Sequence, residues 1–172
     1  MRVAALYSGR FFGSLTVPWV SNHIELLIRP HNASVFVVAD PANWCHAPRA
    51  AHEALAAGAA GLQAAGRIFE AEVRKAFKGW PTTARLLQPA RPIVGLWTHW
   101  RRFRAAINRS TGDLPGYHLA TMMGRWYMQA KHYAQAFTLA LSANSTFDLL
   151  VRTRLDSTFH GPVHLSPNLV SA

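Results

Sequence analysis

The stretch Ala33-Ser34-Val35-Phe36-Val37-Val38-Ala39-Asp40, followed at once by Pro41, decides the fold class. β-Branched and aromatic side chains dominate it and a proline closes it, so it reads as a buried strand. Upstream, Val3-Ala4-Ala5-Leu6-Tyr7 is a shorter apolar run ending in Ser8-Gly9, the pattern of a second buried strand stopped by a glycine turn. Between the two, Leu15, Val17, Trp19, Val20, Ile24, Leu27 and Ile28 recur at near-helical spacing. Pro18 suits a first helical turn, and Pro30 predicts the stop. Strand, helix and strand in succession make a βαβ unit, hence a parallel pair joined by a right-handed crossover.

Residues 48–65 are alanine-rich, with Pro48 suited to a helix start. Gly58, Gly61 and Gly66 weaken that helix, each by roughly 1 kcal/mol against alanine. Phe69, Val73, Ala76 and Phe77 form a further apolar stripe before Gly79-Trp80-Pro81. Residues 81–92 contain Pro81, Pro89 and Pro92 and are expected to be a loop. Trp97, Trp100, Phe103 and Ile107, beside Arg101, Arg102 and Arg104, predict a short basic helix. The clearest helix covers 116–141, where Leu119, Met122, Met123, Trp126, Tyr127, Ala130, Tyr133, Ala134, Phe137 and Leu141 form a stripe expected to face the core. Phe147-Asp148-Leu149-Leu150-Val151-Arg152 reads as a third strand, and the tail 157–172 shows no element. The expected architecture is α/β, a Rossmann-like, mostly parallel sheet flanked by helices, in a single domain over 1–172.

Composition narrows the class. Half of the 172 residues are apolar and 15% are charged, a balance that argues against a disordered chain. The single cysteine, Cys45, excludes an internal disulfide and any CxxC site. The net charge is +10, and the stretch Arg67–Arg109 holds ten basic residues against Glu70 and Glu72. Such a surface attracts polyanions, or is a solvated basic face without a partner. The first residues do not read as a signal peptide, and no run approaches the ~18 apolar residues of a membrane helix. The compartment stays open.

In an open parallel sheet, ligands bind beyond the carboxyl ends of the strands. Those ends supply Ser8, Gly9 and Arg10 from the first strand, Asp40 from the second, and Arg152, Arg154 and Asp156 from the third. Guanidinium forks match phosphate oxygens bidentately. A hard divalent cation takes carboxylate and phosphate oxygens. The set therefore suits a diphosphate carrying Mg²⁺ or Mn²⁺. A surface ion pair of Asp156 with its neighbouring arginines, worth ~0–1 kcal/mol, is the plain alternative. Cys45, His46 and His52 fit no standard metal spacing, and no GxSxG, Walker A or GxGxxG pattern occurs.

The opening Arg2-Val3-Ala4-Ala5-Leu6-Tyr7-Ser8-Gly9-Arg10, the strand ending in Asp40, the long helix and the block Arg152-Thr153-Arg154-Leu155-Asp156 resemble, in order and spacing, a diverse glycosyltransferase-like family. The resemblance implies a GT-A-like nucleotide-sugar fold with a Rossmann-like front. It implies Asp156 as the metal- and diphosphate-binding acid, with Mn²⁺ or Mg²⁺ as cofactor. It also implies that Ser8, Gly9 and Arg10 lie near the nucleotide and Asp40 near its base or ribose. The partners would be a nucleotide-sugar donor and a glycan, lipid or protein acceptor. Position 154 is arginine where many relatives carry a second acid. In the resembled proteins the acceptor site and catalytic base lie further on, so an N-terminal part of a longer enzyme is expected. Two rival readings stand beside this one. The first is a basic nucleic-acid-binding α/β module using 67–109, disfavoured because its aromatics keep core-like spacing. The second is a non-catalytic remnant.

Overall fold

The computed structural model describes residues 1–8, 18–41, 44, 46–88, 116–154 and 157–166, the side chains of 116–128 excepted. Gly9, Arg10, Asp156 and the expected basic helix around Trp97–Ile107 lie outside the described residues.

The elements follow as β1 (Val3–Ser8), α1 (Pro18–His23), a π-helical stretch (Ile24–Ile28), α2 (Arg29–His31), β2 (Ser34–Ala39), α3 (Arg49–Ala56), α4 (Ala59–Ala76), β3 (Thr82–Leu86), α5 (Gly116–Leu141) and β4 (Leu149–Thr153). The strands form one parallel sheet in the order β3-β2-β1-β4. The fold is therefore α/β with a Rossmann-like arrangement. From β1 the chain steps outward to β2 and β3, then returns past β1 to β4. Right-handed crossovers place helices on opposite faces when the direction of travel reverses. Accordingly, α1, α3 and α4 cover one face, and α5 covers the other against β1 and β2.

Alternation along the strands divides two cores. Val3, Ala5 and Tyr7 of β1 join Val35 and Val37 of β2 under Leu27, Phe69 and Phe77. Ala4 and Leu6 join Phe36 and Val38 under Ala136, Leu139 and Ala140 of α5. Both central strands are buried on both faces, which is why they read as continuous apolar runs.

Three expectations need correction. Residues 81–92 are not all loop, since Thr82–Leu86 is an edge strand paired with β2 from Val35↔Thr82 to Ala39↔Leu86. Pro81 precedes the strand, where no ladder hydrogen bond is asked of it, and its carbonyl accepts from Val35 N–H at 2.8 Å. Pro30 does not end the first helix, which runs on to His31 and stops at Asn32 in the left-handed region (φ 46°). Two features permit this. The helix widens just before Pro30, Arg29 N–H bonding to the Ile24 carbonyl. The Leu26 carbonyl, which a residue-30 N–H would serve in a regular helix, instead accepts from Val163 N–H at 2.8 Å. The third correction is the phase of α5. In its described half the buried face is His132, Ala136, Leu139 and Ala140, while Phe137 and Leu141 are 45% and 64% exposed. Ala136, Leu139 and Ala140 pack there against Leu6, Phe36 and Leu150.

The alanine-rich segment is two helices. Gly58, at φ 68°, supplies the break between them. Gly61 supplies the close crossing: a Cβ there would lie 1.7 Å from the Ala54 carbonyl oxygen of α3.

Candidate functional site

The direction of strand order reverses between β1 and β4, so the crevice beyond their carboxyl ends is the topological switch point where open α/β sheets bind ligands. Registers Tyr7↔Thr153 and Ser8↔Val38 put Ser8 at that rim, level with Arg154 on one side and next to the end of β2 on the other. Adjacent strands lie about 4.8 Å apart, so the rim from β4 across β1 to β2 spans about 10 Å. Ser8, Asp40, Arg152 and Arg154 thus share one edge of the sheet, as expected.

The four are not equivalent. Ser8 and Asp40 are each only 4% exposed, whereas Arg152 and Arg154 are open to solvent. By alternation, Ser8 and Asp40 continue the Leu6 and Val38 rows on the α5 side. Arg152, paired in register with Leu6, shares that side. Its guanidinium carbon sits 3.3 Å from the centroid of the Tyr133 ring. Stacking on an aromatic face orients a guanidinium while leaving its N–H donors free for an anion. The arginines expected as neighbours of Asp156 are therefore differently placed, Arg152 lying against α5 and Arg154 at the end of β4.

Sequence reasoning missed one member of this rim. His132 of α5 is buried, and its Nε2 lies 3.9 Å from Asp40 Oδ2, with side-chain exposures of 3% and 6%. That separation is beyond a hydrogen bond. Nε2 has no hydrogen-bond partner among the described residues. The signal was present in the spacing of His132 with Ala136, Leu139 and Ala140, a helical face that ends in a histidine.

On the opposite face, buried polar groups tie the chain after β4 to the first helix. The Ser157 carbonyl can only accept, so at 2.8 Å it fixes the proton on His23 Nε2. His23 Nδ1 then accepts from the Tyr7 hydroxyl at 3.3 Å. Burial holds the His23 pKa below its ordinary value, partly opposed by the Ser157 bond. Burial pushes the Tyr7 hydroxyl far above the usual phenol range. Asn22 pairs twice with Phe159, donating to its carbonyl at 3.0 Å and accepting from its N–H at 2.8 Å. His31 bonds the Val163 carbonyl. Residues 157–166 are thus a strap on the first helix, though they form no regular element. The Ser157 hydroxyl donates to the Arg154 carbonyl at 2.6 Å.

The described residues contain no cluster of three or more metal-ligating side chains. No helix among the described residues is long and apolar enough to cross a membrane. No protein-family model, curated protein or solved structure matches the chain.

Proposed function

We propose that the carboxyl rim of this sheet binds a nucleoside-diphosphate sugar and that the chain is the donor-binding part of a glycosyltransferase. The observation that carries this reading is the order β3-β2-β1-β4, which sets Ser8 and Arg154 side by side at the switch point. The Ser8 hydroxyl, Gly9 and Arg10 are assigned to the diphosphate. Arg152 and Arg154 offset its charge, Arg152 presented from the Tyr133 ring. Asp40, about 10 Å from β4 across the rim, is assigned to the base or ribose. Asp156 is assigned to a divalent cation, which would lower the charge on the departing diphosphate. In the transfer, the bond from the anomeric carbon to the diphosphate oxygen breaks and the electron pair leaves with the nucleoside diphosphate. The acceptor oxygen bonds to that carbon and releases its proton to a general base.

The test is calorimetric titration with UDP- and GDP-sugars, with and without Mn²⁺. The expected result is binding that weakens by about tenfold or more in Arg154→Ala, the size of one lost charge-assisted contact. Asp156→Ala should remove the dependence on Mn²⁺. Absence of nucleotide-sugar binding by the wild-type chain, with salt-sensitive binding of single-stranded nucleic acid in its place, would replace this reading by the polyanion-binding one.

A further inference from the structure

We infer that the strap, residues 157–166, is an acid-sensitive latch: it closes on the first helix while His23 is neutral and opens, with the sheet still folded, when His23 takes up a proton. The latch needs no ligand at the rim and is independent of the nucleotide-sugar reading.

Few groups hold it shut. Val163 N–H donates to the Leu26 carbonyl at 2.8 Å, the acceptor that Pro30 leaves vacant in the first helix. The Val163 carbonyl meets His31. Phe159 pairs twice with Asn22, and the Ser157 carbonyl accepts from His23 Nε2. Phe159, Val163 and Leu165 are only partly buried against the core, and the segment has no helix or strand of its own. A segment held in this way opens at a lower free energy than the sheet beneath it.

Among these groups His23 is the one whose charge matters. Its buried ring meets the Tyr7 phenol from β1 and the Phe159 ring and Ser157 carbonyl from the strap. Phe77 packs in turn on Tyr7. Burial keeps the phenol neutral. The strap contains no Asp, Glu, Lys or Arg. On the first helix, Glu25 and Arg29 are exposed and paired with each other. A proton on His23 in the closed latch is therefore a buried charge without a counterion. Desolvation opposes it, offset in part by the Ser157 bond.

Opening removes Ser157 and Phe159 from the ring and admits water, which returns His23 toward its ordinary proton affinity near about 6.5. The open form then binds the proton more tightly than the closed form. Its population rises as pH falls through about 6.5, by at most about tenfold per pH unit. His31 behaves differently, because its Nε2–H can donate to Val163 in either charge state. His160 and His164 of the strap are exposed even when it is closed. The Ser157 hydroxyl also bonds the Arg154 carbonyl just beyond β4, so opening frees the chain at the carboxyl rim.

The test is amide hydrogen exchange of the full chain, followed by NMR from pH 8 to 5 and corrected for the intrinsic rate at each pH. The N–H groups of Phe159 and Val163 report the latch, and that of Val37 in β2 reports the sheet. Phe159 and Val163 should be less protected than Val37 at every pH, and their protection should fall toward acid. Long-range ¹H–¹⁵N spectra should show His23 as the neutral Nε2–H tautomer at pH 7. Those two readings need no variant. In His23→Gln the pH dependence of the latch should disappear. Asn22→Ala removes both bonds to Phe159, so it should lower protection by a similar factor at every pH and leave the slope intact. His31→Gln should also keep the slope. Latch protection that is flat with pH in the wild type, latch amides as protected as Val37, a charged His23 at pH 7, or a slope that survives His23→Gln overturns the inference. Nucleotide-sugar binding is read separately, so either proposal can fail alone.

Discussion

His23 is the residue whose replacement most directly tests how the strap is held. It is fully buried, packs edge-on to Tyr7 and Phe159 at ring-centroid distances of 5.3 and 4.7 Å, and uses both nitrogens. Gln can keep a donor toward Ser157 and an acceptor toward Tyr7, but it loses the ring contacts, worth about 0.5–1.5 kcal/mol each. At pH 8, His23→Gln should therefore be less stable than wild type by about 1–3 kcal/mol. The pH dependence is more specific. Burial lowers the pKa of His23 in the fold, while the unfolded chain protonates near about 6.5. Between those two values the unfolded state binds the extra proton, so the contribution of His23 is fully present above about pH 7.5 and falls as pH drops through the unfolded pKa. The fall is at most about 1.4 kcal/mol per pH unit, and it stops below the folded pKa. Urea unfolding of both proteins at pH 8, 7, 6 and 5 should show the gap narrowing toward acid. A gap that stays constant, or widens, would refute the neutral, doubly bonded histidine.

Tyr7→Phe should cost about 1–2 kcal/mol at neutral pH by stranding His23 Nδ1. It should also reduce the loss of wild-type stability above pH ~10, where the unfolded phenol ionises and the buried one does not; equal alkaline limbs in thermal melts would count against it. In α5, Leu139→Ala should cost about 2–4 kcal/mol because Leu139 lies in the core against the sheet, whereas Phe137→Ala should change stability by less than about 0.5 kcal/mol. Reversal of that order in denaturant melts would restore the phase expected from sequence. Gly61→Ala should destabilise by about 3 kcal/mol or more in the same assay, since its Cβ meets the Ala54 carbonyl, backbone that cannot swing aside.

The central strands were legible because burial on both faces leaves an unbroken apolar run, as in Val35–Ala39. β3 was not, because Thr82-Thr83-Ala84-Arg85-Leu86 is an edge strand, half-buried on one side only and flanked by prolines that read as loop. The existence and length of α5 were legible from period alone, but its phase was not. Apolar residues surround that helix so widely that the pattern has no unique face, and packing against the sheet selects one. His132 was hidden by the same ambiguity. The rim residues Ser8, Asp40, Arg152 and Arg154 could be named in advance because a parallel sheet sends every strand end to one edge. The strap could not, because its partners are mostly backbone carbonyls and N–H groups, which every sequence offers equally.

The α5 face of the sheet changes character at a single level. β1 passes from Leu6 to Ser8, β2 from Val38 to Asp40, and β4 from Leu150 to Arg152. α5 runs against the strands, and its buried face passes from Leu139 and Ala140 through Ala136 to His132. From Leu139 to His132 the helix climbs about 10 Å, comparable with the rise of about 7 Å per two strand residues that takes each strand from apolar to polar. Four chain segments therefore turn polar together, and three of the four groups, Ser8, Asp40 and His132, do so while still buried. Solvent exposure alone would select polar residues only where water reaches them. Polar side chains set beneath the surface, at the reversal of strand order, instead mark the level at which a polar ligand would meet the sheet, which is what the nucleotide-sugar reading requires.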